Sequence, residues 1–213
     1  MSEQGWISSI TDQNGYTTHY SYDAMGCLTG IAFPGDDSVA WNTTTQTLES
    51  VGTDEYGLAG GHWRQTVTTG NQQKFTYFDA LWRPIVIREH DAADEAGTQR
   101  FQRFAYDHAG RTTFDSYPGT SDALTTGNWI EYDALGRVIS VSQDSELGLL
   151  TTLTEYLAGN QTRVTDPRGN QTVTGSQVFN EPAYDKPVWI LHKVPASTSD
   201  YIGGCTGMVG SIM

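Results

Sequence analysis

A chain of 213 residues with 12 basic against 25 acidic side chains carries a net charge of −13. Phosphate contacts need clustered Lys and Arg, so this balance excludes a nucleic-acid partner and equally an anionic membrane surface. Apolar residues make up only 37%, while aromatics reach 11% and Gly numbers 23, which excludes a thick aliphatic centre and points to thin sheets wet on at least one face.

Taken in chain order, the segment Met1-Ser2-Glu3-Gln4-Gly5-Trp6 has neither the basic nor the apolar region of a signal peptide. No later stretch approaches the roughly 20 apolar residues of a membrane-spanning helix, so no membrane insertion is expected. Thr11-Asp12-Gln13-Asn14-Gly15 reads as a turn, and Tyr22-Asp23-Ala24-Met25-Gly26 as a second. Asp54/Gly57 repeats the spacing, and Phe78-Asp79 starts a variant with Trp82 where Gly is expected. Asp94/Gly97, Asp107/Gly110, Asp133/Gly136, Asp166/Gly169 and Asp200/Gly203 follow. Eight of the 16 aspartates thus have Gly three positions later, far more than chance placement gives.

The spacing has a physical cause. Asp is favoured at the first position of a type I turn and Gly at the fourth. The carboxylate accepts from the backbone two residues on, and a Gly with positive φ forms the bulge that joins hairpin strands. The flanks alternate as strands do: Tyr20/Tyr22, Phe104/Tyr106 and Ile130/Tyr132 before the turns, Ile85-Val86-Ile87 and Val138-Ile139-Ser140-Val141 after them. Arg83, Arg111 and Arg137 follow three turns, where the first such turn has Cys27. Anchors Asp23, Asp54, Asp79, Asp107, Asp133 and Asp166 are separated by 31, 25, 28, 26 and 33 residues, a spacing for hairpins of varying length and not for a strict solenoid. The predicted fold is all-β: antiparallel β-hairpin repeats in an extended, twisted and curved sheet.

The units at Tyr22-Asp23-Ala24-Met25-Gly26-Cys27-Leu28, Tyr106-Asp107-His108-Ala109-Gly110-Arg111 and Tyr132-Asp133-Ala134-Leu135-Gly136-Arg137-Val138 resemble the YD repeat, Tyr-Asp-x-x-Gly-Arg-Leu. Thr11 to Gly15 and Thr165 to Asn170 resemble the Thr-Asp-x-x-Gly half-unit of the same Rhs/YD-repeat family, which includes bacterial polymorphic toxins, wall-associated proteins, toxin-complex subunits and the teneurins. In that family the repeats build a hollow β-shell, which in the toxins encloses a C-terminal toxic domain. The resemblance implies a structural segment of a secreted or cell-surface protein, with no catalytic residues and no cofactor. Its implied partners are other YD repeats of a longer chain or neighbouring fragment and an enclosed toxin domain, with carbohydrate as the alternative ligand. The anchors are Asp12, Gly15, Tyr22, Asp23, Gly26, Asp79, Arg83, Tyr106, Asp107, Gly110, Arg111, Tyr132, Asp133, Gly136, Arg137, Asp166 and Gly169.

The likeness runs from about Gly5 to Ile190, giving a repeat region over 1–190 and a flexible tail over 191–213, expected to follow an interrupted reading frame. Asp200/Gly203 falls in that tail and is discounted as a repeat. The family's N-terminal plug and its Pro-x-x-x-x-Asp-Pro-x-Gly core motif are not matched. Asp166-Pro167-Arg168-Gly169 is a partial likeness in a repeat setting, and self-cleavage is not carried over to it.

Other chemistry finds little footing. His19, His62, His90, His108 and His192 form no short ligand pair, and Cys27 and Cys205 no disulfide framework or zinc site. Glu89, Asp91, Asp94 and Glu95 lack the order of a calcium loop and read as a solvated loop. Glu49, Glu131 and Glu155 are the carboxylates left for a glycoside hydrolase, with no reason to meet. Asn42, Asn160 and Asn170 start glycosylation-like tripeptides, read as chance matches in Thr-rich strands. Trp6, Trp41, Trp63, Trp82, Trp129 and Trp189 serve packing across hairpins, or else stacking on sugars.

Overall fold

The computed structural model of the protein describes residues 5–35, 39–178, 183–193 and 209–211. The chain divides into two compact units, residues 1–105 with 116–125, and 106–115 with 126–213. In the first unit β1 (Ser9–Thr11), β2 (Thr17–Tyr22), β3 (Leu28–Ala32), β4 (Thr44–Val51), β5 (His62–Thr69), β6 (Gln72–Phe78), β7 (Pro84–Asp91) and β8 (Arg100–Tyr106) follow one another. Each pairs antiparallel with the next. A four-residue helix, α1 (Glu95–Thr98), lies between β7 and β8.

The second unit holds β9 (Thr112–Ser116), β10 (Gly127–Tyr132), β11 (Val138–Ser145), β12 (Gly148–Leu157), β13 (Gln161–Thr165), β14 (Gln171–Gln177), β15 (Ala183–Lys193) and β16 (Val209–Ser211). From β10 onward each strand again pairs antiparallel with its successor. The all-β antiparallel hairpin fold expected from the repeats is what the protein adopts. β15 runs on past Ile190 to Lys193, and β16 pairs with its last residues; the rest of the predicted tail lies outside the described residues.

Register decides where the core sits. Because side chains alternate faces, the pairings Val51↔His62, Arg64↔Tyr77, Tyr77↔Val86, Phe75↔Arg88 and Arg88↔Phe101 put these residues on one face of β4–β8. Two loops cover that face. The 52–61 loop sets Tyr56 with its ring 5.0 Å from Tyr77 and 5.5 Å from Phe101. The 117–125 segment brings Leu124 against the same cluster and exchanges backbone bonds of 2.7 and 3.0 Å between Phe101 and Gly119. Arg103 holds both loops, donating from Nη2 to the Tyr56 carbonyl at 3.0 Å and from Nη1 to that of Asp122 at 3.1 Å. Beneath them Tyr77, Val86 and Phe101 are buried, and burial pushes the Tyr77 hydroxyl up to about 12, so it stays a phenol.

Two Asp-x-x-Gly pairs are not hairpin turns of the expected kind. At Asp54/Gly57, Tyr56 and Gly57 both have positive φ, 52° and 81°, and Glu55 and Leu58 exchange backbone bonds. That is a two-residue turn of the I′ kind nested inside a larger loop, and Asp54 instead accepts from the distant Gly60 N–H. Asp94 caps α1, its carboxylate accepting from the Gly97 N–H at 3.1 Å. The acidic run is therefore not a bare solvated loop: Glu89 and Asp91 end β7, Asp94 caps the helix, and Glu95 pairs with Arg88.

Candidate functional site: the tyrosine-aspartate turns

In six turns one aspartate makes the same set of bonds. Asp12, Asp23, Asp79, Asp107, Asp133 and Asp166 each donate their N–H to the carbonyl four residues on, at 2.9 to 3.0 Å. Each carbonyl accepts from the N–H three residues on, that of Gly15, Gly26, Trp82, Gly110, Gly136 or Gly169. Each Oδ1 accepts from the N–H groups two and four residues on. The carboxylate thereby replaces a missing rung where the strands diverge, as an Asx-turn does. The register shifts at Tyr22, Phe78 and Tyr132 are the accompanying bulges.

The fourth position has positive φ in all six, from 82° to 90° at the glycines. Trp82 adopts φ 62°, a conformation that disfavours a bulky side chain. The remaining carboxylate oxygen explains the arginine. Oδ2 of Asp79, Asp107 and Asp133 accepts from Nε of Arg83, Arg111 and Arg137 at 2.7 Å. In the Asp166 turn the Asn170 side-chain amide takes that place, also at 2.7 Å.

These bonds hold the carboxyls below their ordinary range. For Asp107 and Asp133 the leading cause is the N–H of the following arginine, for Asp166 the Asn170 side chain. At Asp79 burial pushes upward, and the bonds from Arg83 and Leu81 outweigh it. Carboxylates so bonded close the turn and hold its strands together.

A second set of contacts joins one unit to the next. Arg111 stacks 4.5 Å from the centre of the Tyr132 ring, and the Tyr132 hydroxyl donates to the Thr112 carbonyl at 2.9 Å. Arg137 stacks 3.9 Å from Tyr156, whose hydroxyl donates to the Val138 carbonyl at 3.2 Å. At the start of the chain Trp6 replaces the arginine: its ring lies 5.4 Å from Tyr22, whose hydroxyl donates to the Ile7 carbonyl at 2.9 Å. Each latch is thus a flat cation or ring on the next tyrosine, plus a bond to the carbonyl just after it. The glycine of the following turn makes room: a Cβ at Gly136 would lie 2.9 Å from Arg111 Nη1, and one at Gly26 2.6 Å from Trp6.

The predicted anchors therefore meet in sequence-local turns and in latches between successive turns. Tyr106 ends β8 directly before the Asp107 turn. In the alternating strand order, turns with an aromatic residue before the Asp and turns with Thr before it fall at opposite ends of the strands: Asp12 against Asp23 and Asp79 in the first unit, Asp166 against Asp133 in the second. Sequence reasoning passes over Tyr156, which precedes no Asp, while Trp6, expected to pack across hairpins, does so on Tyr22. Tyr156-Leu157-Ala158-Gly159-Asn160 still has a Tyr with Gly three positions on, set in the spacing of the tyrosines before it.

Among the described residues no group of three or more His, Cys, Asp or Glu is placed to hold a metal ion. Of the hydrolase candidates, Glu49 pairs with Arg64 at 2.7 Å and Glu155 with Arg163. No curated protein matches the chain. The RHS Repeat family model matches residues 2–36, the span of β1 to β3 with the Asp12 and Asp23 turns. The backbone and Oδ1 bonds of those two turns recur in four turns beyond that span, so the matched stretch is similar to the RHS Repeat family and its turn is repeated along the rest of the chain.

Proposed function

We propose that this chain is a length of wall in a β-shell that encloses a C-terminal toxin domain, with no catalytic activity of its own. The observation that carries the reading is the saturation of its conspicuous polar residues. The aspartates of the turns and the arginines that follow three of them are spent on closing hairpins and latching one repeat to the next. Such a design extends by adding units, which suits a wall. Limited proteolysis of the full gene product tests it. A C-terminal domain that resists protease until the repeats are unfolded supports enclosure; one cleaved at the same rate with intact repeats contradicts it.

A second reading, a carbohydrate- or cell-surface-binding module, is favoured by one exposed cluster. The Trp63 and Trp82 rings lie 5.2 Å apart and 31° from parallel, with Phe78 6.0 Å from Trp82. Trp82 is 53% exposed although its backbone conformation favours Gly, and strain kept at an exposed aromatic is where a binding role is sought. A glycan array with the protein and its Trp82→Gly variant separates the readings. Binding lost in the variant supports the module, and no binding by either leaves the wall.

A further inference from the structure

We propose that Asn14–Gly15 is a self-modification site, at which the chain converts its own asparagine to aspartate and isoaspartate and so loosens its first strand. The chemistry needs only water. The Gly15 backbone nitrogen attacks the Asn14 side-chain carbonyl carbon and loses its proton, ammonia leaves, and a five-membered succinimide forms. Water then opens the ring at either carbonyl, giving aspartate at this position by one route and isoaspartate by the other. Asparagine is among the thermolabile residues, and the step is fastest where the next residue has no side chain to shield the attacking nitrogen. Asn14 is followed by Gly; Asn42, Asn71, Asn128, Asn160, Asn170 and Asn180 are followed by Thr, Gln, Trp, Gln, Gln and Glu.

The structure adds three reasons for this position. Every residue from Ser9 to Gly15 is exposed, and a Cβ built on Gly15 meets nothing within 4 Å, so the planar ring has room. The bond that occupies the Gly15 nitrogen is long, 3.2 Å to the Asp12 carbonyl, against 2.9 to 3.0 Å in the Asp107, Asp133 and Asp166 turns. Gly26 shares that length, but Met25 precedes it and offers no amide to attack. Finally, this turn lacks the outer clasp. Tyr16 stands where Arg83, Arg111, Arg137 or Asn170 binds the second carboxylate oxygen elsewhere, and Asp12 makes its side-chain bonds through Oδ1 alone. A turn with one contact fewer opens more often into the geometry that the attack requires.

The product acts on the fold. Isoaspartate routes the main chain through the former Cβ, lengthening the turn by one atom. The paired bonds Asp12 N–H to the Tyr16 carbonyl and Tyr16 N–H to Asp12 Oδ1 then fall out of register. Among the described residues β1 pairs with β2 alone, through Ser9, Ile10 and Thr11, so its pairing loosens from the turn inward, while the Trp6–Tyr22 latch and the other strands stay in place.

The test is incubation of the full chain at neutral pH and body temperature, followed by isoaspartyl-methyltransferase labelling and peptide mapping. Label and the amide-to-acid mass change should accumulate at residue 14 ahead of every other asparagine, and N14Q should abolish that label. In Y16R, which supplies the missing clasp, accumulation should slow. Label appearing first at another asparagine, or none at residue 14, overturns the proposal, and an unchanged rate in Y16R overturns the role given to the open clasp.

Discussion

The two units solve one problem, holding a thin sheet together, in different ways. The first has an enclosed cluster: Tyr77, Val86 and Phe101 lie under loops pinned by Arg103, and the one other buried hydrophobic side chain among the described residues, Val51, lies in the same unit. Among its described residues the second buries only small groups of its own strands, such as Ser140, Ser142 and Ser176. Its large side chains lie in the latches, Arg111 on Tyr132 and Arg137 on Tyr156, and in Trp189 pressed on Gly175. A repeat sheet can therefore be stabilised by folding loops over one face or by ties between neighbouring turns. The second device needs no thickness.

The comparison predicts a graded set of effects. Phe101→Ala opens a cavity in the first unit and should cost about 3–5 kcal/mol, read as a fall in the urea midpoint of that unit with the latch contacts of the second unchanged by NMR. An equal loss of both would break the division. Gly175→Ala places a Cβ 2.2 Å from Trp189 Cε2 and should cost about 1–3 kcal/mol by overpacking; a neutral result would mean that the tryptophan does not pack there in solution. Trp82→Gly relieves the left-handed backbone and should stabilise the first unit by about 1 kcal/mol, visible as a rise in its urea midpoint. Tyr132→Phe removes a single hydroxyl bond to Thr112 and should cost about 1 kcal/mol in the second unit.

Acid gives the smallest and most diffuse effect. The carboxyls of Asp79, Asp107, Asp133 and Asp166 are lower folded than free, so their contribution is fully present above the ordinary carboxylate pKa of about 3.9. It is lost as pH falls below that value through their folded pKa values. Stability followed from pH 6 downward should hold steady to about pH 4 and then fall, and Asp133→Asn should flatten that fall.

The turns were legible because their cause is local. An Asp, a Gly three residues on and an Arg after it are one hydrogen-bonded ring, and the residues encode it without reference to the rest of the fold. What failed was the same spacing in another setting. Gly97 follows Asp94 because a helix begins there, and Gly57 follows Asp54 because a two-residue turn needs it; Thr53 precedes Asp54 as Thr11 precedes Asp12, so neither the spacing nor the residue before the Asp identifies the turn by itself. The latches were hidden for the opposite reason. They join residues 15 to 21 positions apart, and Trp6 and Arg137 fill one role with unlike chemistry. The small core of the first unit was also invisible, since the loops that cover it look in sequence like ordinary connections.

The central claim is that latches between successive turns hold the second unit together, and a double-mutant cycle on Arg137 and Tyr156 tests it most directly. Equilibrium unfolding of Arg137→Ala, Tyr156→Leu and the pair should show the double variant losing less than the sum of the two single losses, because either change already breaks the shared contact. Strictly additive losses would mean that the arginine and the tyrosine act independently, and would contradict the account.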